Sequence, residues 1–104
     1  MIAQRTAPAR FTNKLPPLIF IKEGGNLSVT ISVSGYPTPK VTWSMQGKNH
    51  GNQTRFKTTL DKFDIDDVRF EDEGVITCRA ENVFGVQETK VELTVLGEWA
   101  GFYF

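Results

Sequence analysis

The chain of 104 residues contains one cysteine and one histidine, and its charges cancel, with 12 Lys and Arg against 12 Asp and Glu. Each scarcity removes a class of function. Cys78 has no second thiol to pair with, so no intramolecular disulfide is available. His50 lies in a polar stretch without another His or Cys at ligand spacing, which excludes a zinc site. No Ser/His/Asp or Cys/His set can be assembled, so the chain is read as a non-enzyme with no cofactor and no metal. A balanced charge lacks the concentrated positive field of nucleic-acid binders. No apolar run approaches the ~20 residues needed to cross a bilayer, and Met1 to Arg10 has no apolar core of signal-peptide length. About a hundred residues suits one small domain, and a longer parent chain is expected.

What the sequence does have is alternation with period two. Leu27, Val29, Ile31 and Val33 share one face, and Ser28, Thr30 and Ser32 share the other. Such a segment is a strand with one side buried and one side solvated. Val41, Trp43 and Met45 repeat the pattern, as do Phe63 and Ile65, then Ile76, Cys78 and Ala80, and finally Val91, Leu93 and Val95. Pro16-Pro17 divides an early extended stretch (Arg10 to Leu15) from a second (Leu18 to Lys22), as in an edge strand split by a kink. Turn residues punctuate the runs at Glu23 to Asn26, Tyr36 to Pro39, Gln46 to Gln53 and Val83 to Val86. Short strands at this spacing predict an all-β sandwich. The boundaries expected are an N-terminal extension or linker over 1–9, a domain over 10–96 and an aromatic tail or linker over 97–104.

Several motifs occur in fixed order: Gly35-x-Pro37-x-Pro39, Trp43, then Phe63-x-Ile65-x-x-Val68, Asp72-x-Gly74-x-Ile76-x-Cys78, and Ala80-x-Asn82-x-x-Gly85. With these gaps the chain resembles an intermediate-set immunoglobulin domain from about Arg10 to Leu96. The resemblance implies a β-sandwich of two antiparallel sheets in a Greek key, with a structural core of Ile31, Trp43, Phe63, Ile65, Ile76, Cys78 and Leu93. It places Ile31 where the first cysteine of the inter-sheet bridge stands, and Ile76 in the place of a tyrosine. Cys78 is thus free. The missing bridge would close a loop of about 48 residues, worth roughly 4 kcal/mol in the chain-entropy model. Burying Ile31 offsets part of that by about 1.5–3 kcal/mol.

The same resemblance implies that Arg55, at the entry to a strand, pairs with Asp72 in a structural salt bridge at one end of the sandwich. A bridge-free domain of this type resembles the intracellular branch of titin, twitchin, obscurin, myosin-binding protein C and palladin. The implied function is that of a non-catalytic spacer and protein-interaction module in a cytoplasmic, cytoskeletal or sarcomeric protein. Its implied partners are other proteins and the neighbouring domains of the parent chain, without nucleic acid or membrane. The alternative is an extracellular adhesion or receptor module. The sequons Asn26-Leu27-Ser28 and Asn52-Gln53-Thr54 matter only in that case. Asp61, Asp64, Asp66, Asp67, Glu71, Asp72 and Glu73 lack the spacing of a calcium loop and read as solvated charge. Trp99, Phe102, Tyr103 and Phe104 crowd four aromatics beyond the last strand, a pattern expected to pack on the domain or on a second copy, with a linker into a next module or an anchor for a partner as the alternatives.

Overall fold

The structure, a computed structural model, describes residues 6–47 and 55–97. Among the described residues nine strands follow one another: β1 (Ala7–Phe11), β2 (Leu18–Lys22), β3 (Leu27–Thr30), β4 (Val33–Tyr36), β5 (Lys40–Gly47), β6 (Phe56–Thr58), β7 (Lys62–Ile65), β8 (Gly74–Asn82) and β9 (Gly85–Leu96). A 3-10 turn, Phe70–Asp72, precedes β8.

Alternation decides what faces inward. One layer has the order β2-β9-β8-β5, and the other is built from β3-β7-β6 with β1-β4 continuing it. Leu27 and Val29 of β3, Phe63 and Ile65 of β7, Ile76 of β8, and Leu93 and Val95 of β9 form the core between the layers, with Val68. Ile19, Ile21, Trp43, Met45 and Phe56 pack on its rim. These are the inward residues of the period-two runs, and each such burial contributes about 1.5–3 kcal/mol.

Two features differ from the sequence expectation. The run from Leu27 to Tyr36 is interrupted at Ile31 and Ser32, where the backbone bonds outward: Ile31 N–H donates to Asp61 O (2.9 Å), and Ser32 O accepts from Thr12 N–H (2.8 Å). The layers are also not wholly antiparallel. β2 runs parallel to β9, from Leu18↔Glu92 to Lys22↔Leu96. The cause is the diproline: β1 pairs with β4 in one layer, and after Pro16-Pro17 the chain resumes in the other layer without reversing. β1 itself begins at Ala7 and buries Ala9, so strand structure starts ahead of the boundary expected at residue 10.

Gly85 makes that early strand possible. A Cβ there would lie 2.8 Å from Pro8 Cβ, too close for any side chain without displacing β1. Gly35, at φ +145°, has a backbone conformation that L side chains rarely adopt, against Pro8 O and Ala9 Cα.

Candidate functional site

Arg55 and Asp72 meet at one end of the sandwich. Arg55 Nη1 donates to Asp72 Oδ2 at 2.7 Å and Nη2 donates to Oδ1 at 3.0 Å, a bidentate fork. The backbone N–H of Arg69 donates a third bond to Oδ2 (2.8 Å), and Arg55 Nη1 also reaches the carbonyl of Asp67 (3.0 Å). Asp72 is fully buried. Burial pushes its carboxyl upward, but the Arg55 hydrogen bonds, the Arg69 N–H and the two positive charges outweigh that, and its pKa falls below the ordinary 3.8. Asp72 thus binds the strand entry at Arg55, the Asp67 turn and the 3-10 turn into one cluster. Its chemistry is that of a fixed ion pair, not a general acid.

Ile31, Phe63, Ile65, Ile76, Cys78 and Leu93 are all buried. Trp43 is only half-buried. It lies in register with Cys78, stacks at a tilt on Phe63 with centroids 5.6 Å apart, and donates from Nε1 to Thr59 O at 3.0 Å. The physical reason is topological: β5 is the terminal strand of its layer among the described residues, so one side of the indole has no neighbouring strand to cover it. Burial pushes the Cys78 thiol up to about 11, which keeps it protonated and unreactive at neutral pH. A groove of about 270 Å³ opens beside Ile31, between Val33, Pro39, Val41 and Leu60.

Several residues of the acidic stretch accept hydrogen bonds within the fold. Asp64 accepts from Ser28 Oγ (2.7 Å), Asp61 from Thr59 Oγ1 (3.1 Å), and Glu73 from Val95 N–H (3.0 Å). Among the described residues no cluster of His, Cys, Asp and Glu is arranged to hold a metal ion.

Asn82 holds the opposite end, a role its motif alone did not disclose. Its Oδ1 accepts from Ala9 N–H (3.2 Å) and Phe84 N–H (3.0 Å), while Nδ2 donates to Ala7 O (2.8 Å) and Pro37 O (3.0 Å). One side chain uses its full bonding capacity to join β1, the turn after β4 and the β8–β9 hairpin. That hairpin presents Val83, 82% exposed, and Phe84 to solvent, with Tyr36 also exposed. A second apolar strip, Leu18, Phe20 and Leu96, lies exposed along the β2–β9 pair. His50, Asn52, Trp99, Phe102, Tyr103 and Phe104 lie outside the described residues.

Two packed layers with a buried Arg–Asp clasp and an Asn-tied hairpin define an immunoglobulin-type β-sandwich. The chain belongs to the immunoglobulin I-set domain family, whose model matches residues 9–95. It is 34% identical over 91 residues to vascular cell adhesion protein 1 of Rattus norvegicus, covering 88% of this chain and 12% of that protein. It is 33% identical over 96 residues to smooth muscle myosin light chain kinase of Gallus gallus, covering 88% of this chain and 5% of that protein. The solved titin M3 domain superposes with a TM-score of 0.72 at 26% identity, covering 86% of this chain and 98% of that one. The curated relatives are therefore many times longer than the chain, which corresponds to one immunoglobulin domain within a larger protein.

Proposed function

We propose that this chain is a non-catalytic spacer and protein-binding module of a larger adhesion protein at the cell surface. The observation that carries the spacer role is the parallel β2–β9 ladder. It extends beyond the strands through Glu92 N–H to Pro17 O and Glu23 N–H to Leu96 O, both 2.8 Å. The chain enters through β1, which β2 continues in the same direction after Pro16-Pro17, and passes out of the sandwich at the end of β9. Tension between the two ends therefore slides the strands along each other and must break the rungs together. A pull applied at one end of the pair would peel them in sequence.

The comparison that tests this is mechanical. Single molecules are pulled by their two termini, then between attachments at Glu23→Cys and Leu96→Cys, which lie at the same end of the parallel pair. A clearly higher unfolding force in the first geometry is expected; equal forces would overturn the spacer role. The surface assignment draws on the adhesion relative at 34% identity. Partner contact is assigned to the hairpin end, where Asn82 holds Val83 and Phe84 preorganised with Tyr36.

A second reading, a module of a cytoplasmic muscle or cytoskeletal protein, is favoured by Ile31 in place of a bridging cysteine and by the smooth-muscle kinase relative. Antibody labelling of the native full-length protein on intact cells, before and after permeabilisation, separates the two.

A further inference from the structure

Asn26 opens β3 at the turn after β2, and the turn is fixed from both sides. Gly24 N–H donates to Val68 O (2.7 Å), and Val68 N–H donates to Gly25 O (2.8 Å). Between these bonds Asp67, at φ +54°, directs its own N–H to Asn26 Oδ1 at 3.1 Å. An N–H requires the amide oxygen, so the orientation of the Asn26 carboxamide is determined and its nitrogen is turned away from the bonded loop. Nδ2 makes no hydrogen bond among the described residues, and Asn26 is exposed. Leu27 points into the core while Ser28 lies on the solvated face with Asn26, as the strand period requires.

We propose that Asn26 carries an N-linked glycan, an inference that rests on the cell-surface reading. The residues Asn26-Leu27-Ser28 form the acceptor triplet, with no proline in the middle. In the transfer, Nδ2 attacks C1 of the reducing-end sugar of a lipid-diphosphate-linked oligosaccharide. The C1–O bond to the diphosphate breaks, the lipid diphosphate leaves with that electron pair, and one Nδ2 proton passes to solvent. The product keeps Oδ1, so the Asp67 bond survives modification, and Leu27 need not leave the core. A bulky polar chain at this position projects from the surface and displaces no described contact.

The test secretes the full chain from cultured eukaryotic cells behind a cleavable leader, in an Asn52→Gln background that leaves one acceptor. Mass spectrometry after amidase treatment reads conversion of position 26 from Asn to Asp. The expected result is a glycan on most of the secreted protein, retained in Ser28→Thr and lost in both Asn26→Gln and Ser28→Ala. Circular dichroism verifies that the unglycosylated variants are folded. Secreted, folded protein with no conversion at position 26 overturns the proposal. A glycan on the secreted chain, combined with native protein labelled only after permeabilisation, defeats the surface reading while leaving the acceptor geometry intact.

Discussion

Asp72 is a charge with no exposed surface, so its contribution depends on partners that neutralise it. Removing Arg55 leaves the buried Asp72 carboxylate with only the Arg69 N–H, and neutralising Asp72 takes the bidentate carboxylate from Arg55. Asp72→Asn is expected to cost about 3 kcal/mol, in the range for breaking a buried pair. A double-mutant cycle with Arg55→Ala should give a coupling of at least about 1 kcal/mol. Additive effects would show that the fork contributes no pairwise energy. The lowered pKa adds a pH signature. Above the unfolded value, near 3.8, both states are ionised and the contribution is complete. As pH falls below that value the unfolded chain takes up a proton first, and stability is lost progressively until the native carboxyl also protonates. The stability gap between the parent and Asp72→Asn should therefore narrow in acid, as read by urea melts below pH 4. Cys78 has the opposite signature. Its native thiol titrates at about 11, above the ordinary 9.0, so the unfolded chain loses its proton first as pH rises and stability falls across that window. Cys78→Ala should show a shallower alkaline loss than the parent, and melting of the parent should be unchanged by thiol reductant.

Single elements show how local residues control distant strands. β1 is held by its ladder to β4, by Asn82 and by the close approach of Pro8 to Gly85. Asn82→Ala removes four hydrogen bonds and strands their backbone partners, an expected cost of about 2 kcal/mol. Because two of those partners, Ala7 and Ala9, lie on β1, hydrogen exchange should accelerate over Ala7–Phe11 before it does over β8; uniform acceleration would mean that Asn82 acts on the whole sandwich. Little of this was legible beforehand. The inward residues of β3, β7, β8 and β9 were, because alternation records which side a residue faces. Alternation does not record the direction or identity of a neighbouring strand, so the parallel placement of β2 beside β9 was hidden. Trp43 was placed in the centre of the core because its residue type and spacing are the same whether its strand is central or terminal. Arg55 and Asp72 were nameable as a pair through motif resemblance alone, while three of the four partners of Asn82, 45 to 75 residues away, leave no local trace.

At the scale of the whole molecule, the unresolved balance is between exposed apolar surface and the aromatic segment that follows it. Phe20 is 61% exposed, and with Leu18 and Leu96 it forms an uncovered strip beside the end of β9. Phe70, also exposed, lies against Gly97 where the chain leaves the sandwich. Seven residues remain after Gly97, including Trp99, Phe102, Tyr103 and Phe104. Fully extended they reach about 23 Å, and the strip from Leu96 back to the level of Leu18 spans only about 13 Å of strand. The tail is therefore long enough to cover the strip of its own chain, and each Å² of apolar surface removed from water contributes roughly 25 cal/mol. Reach and chemistry allow the tail to cover the strip, and truncation tests whether it does. Deleting residues 98–104 should lower the melting temperature of the monomer without changing its sedimentation. Phe20→Ser should lower it to a similar extent in the full chain and have a smaller effect in the truncated one. A parent whose melting temperature and sedimentation rise with protein concentration would show that the tail covers a second copy instead. Identical melting and sedimentation with and without the tail would show that these aromatics contribute nothing to the domain and belong to whatever follows it.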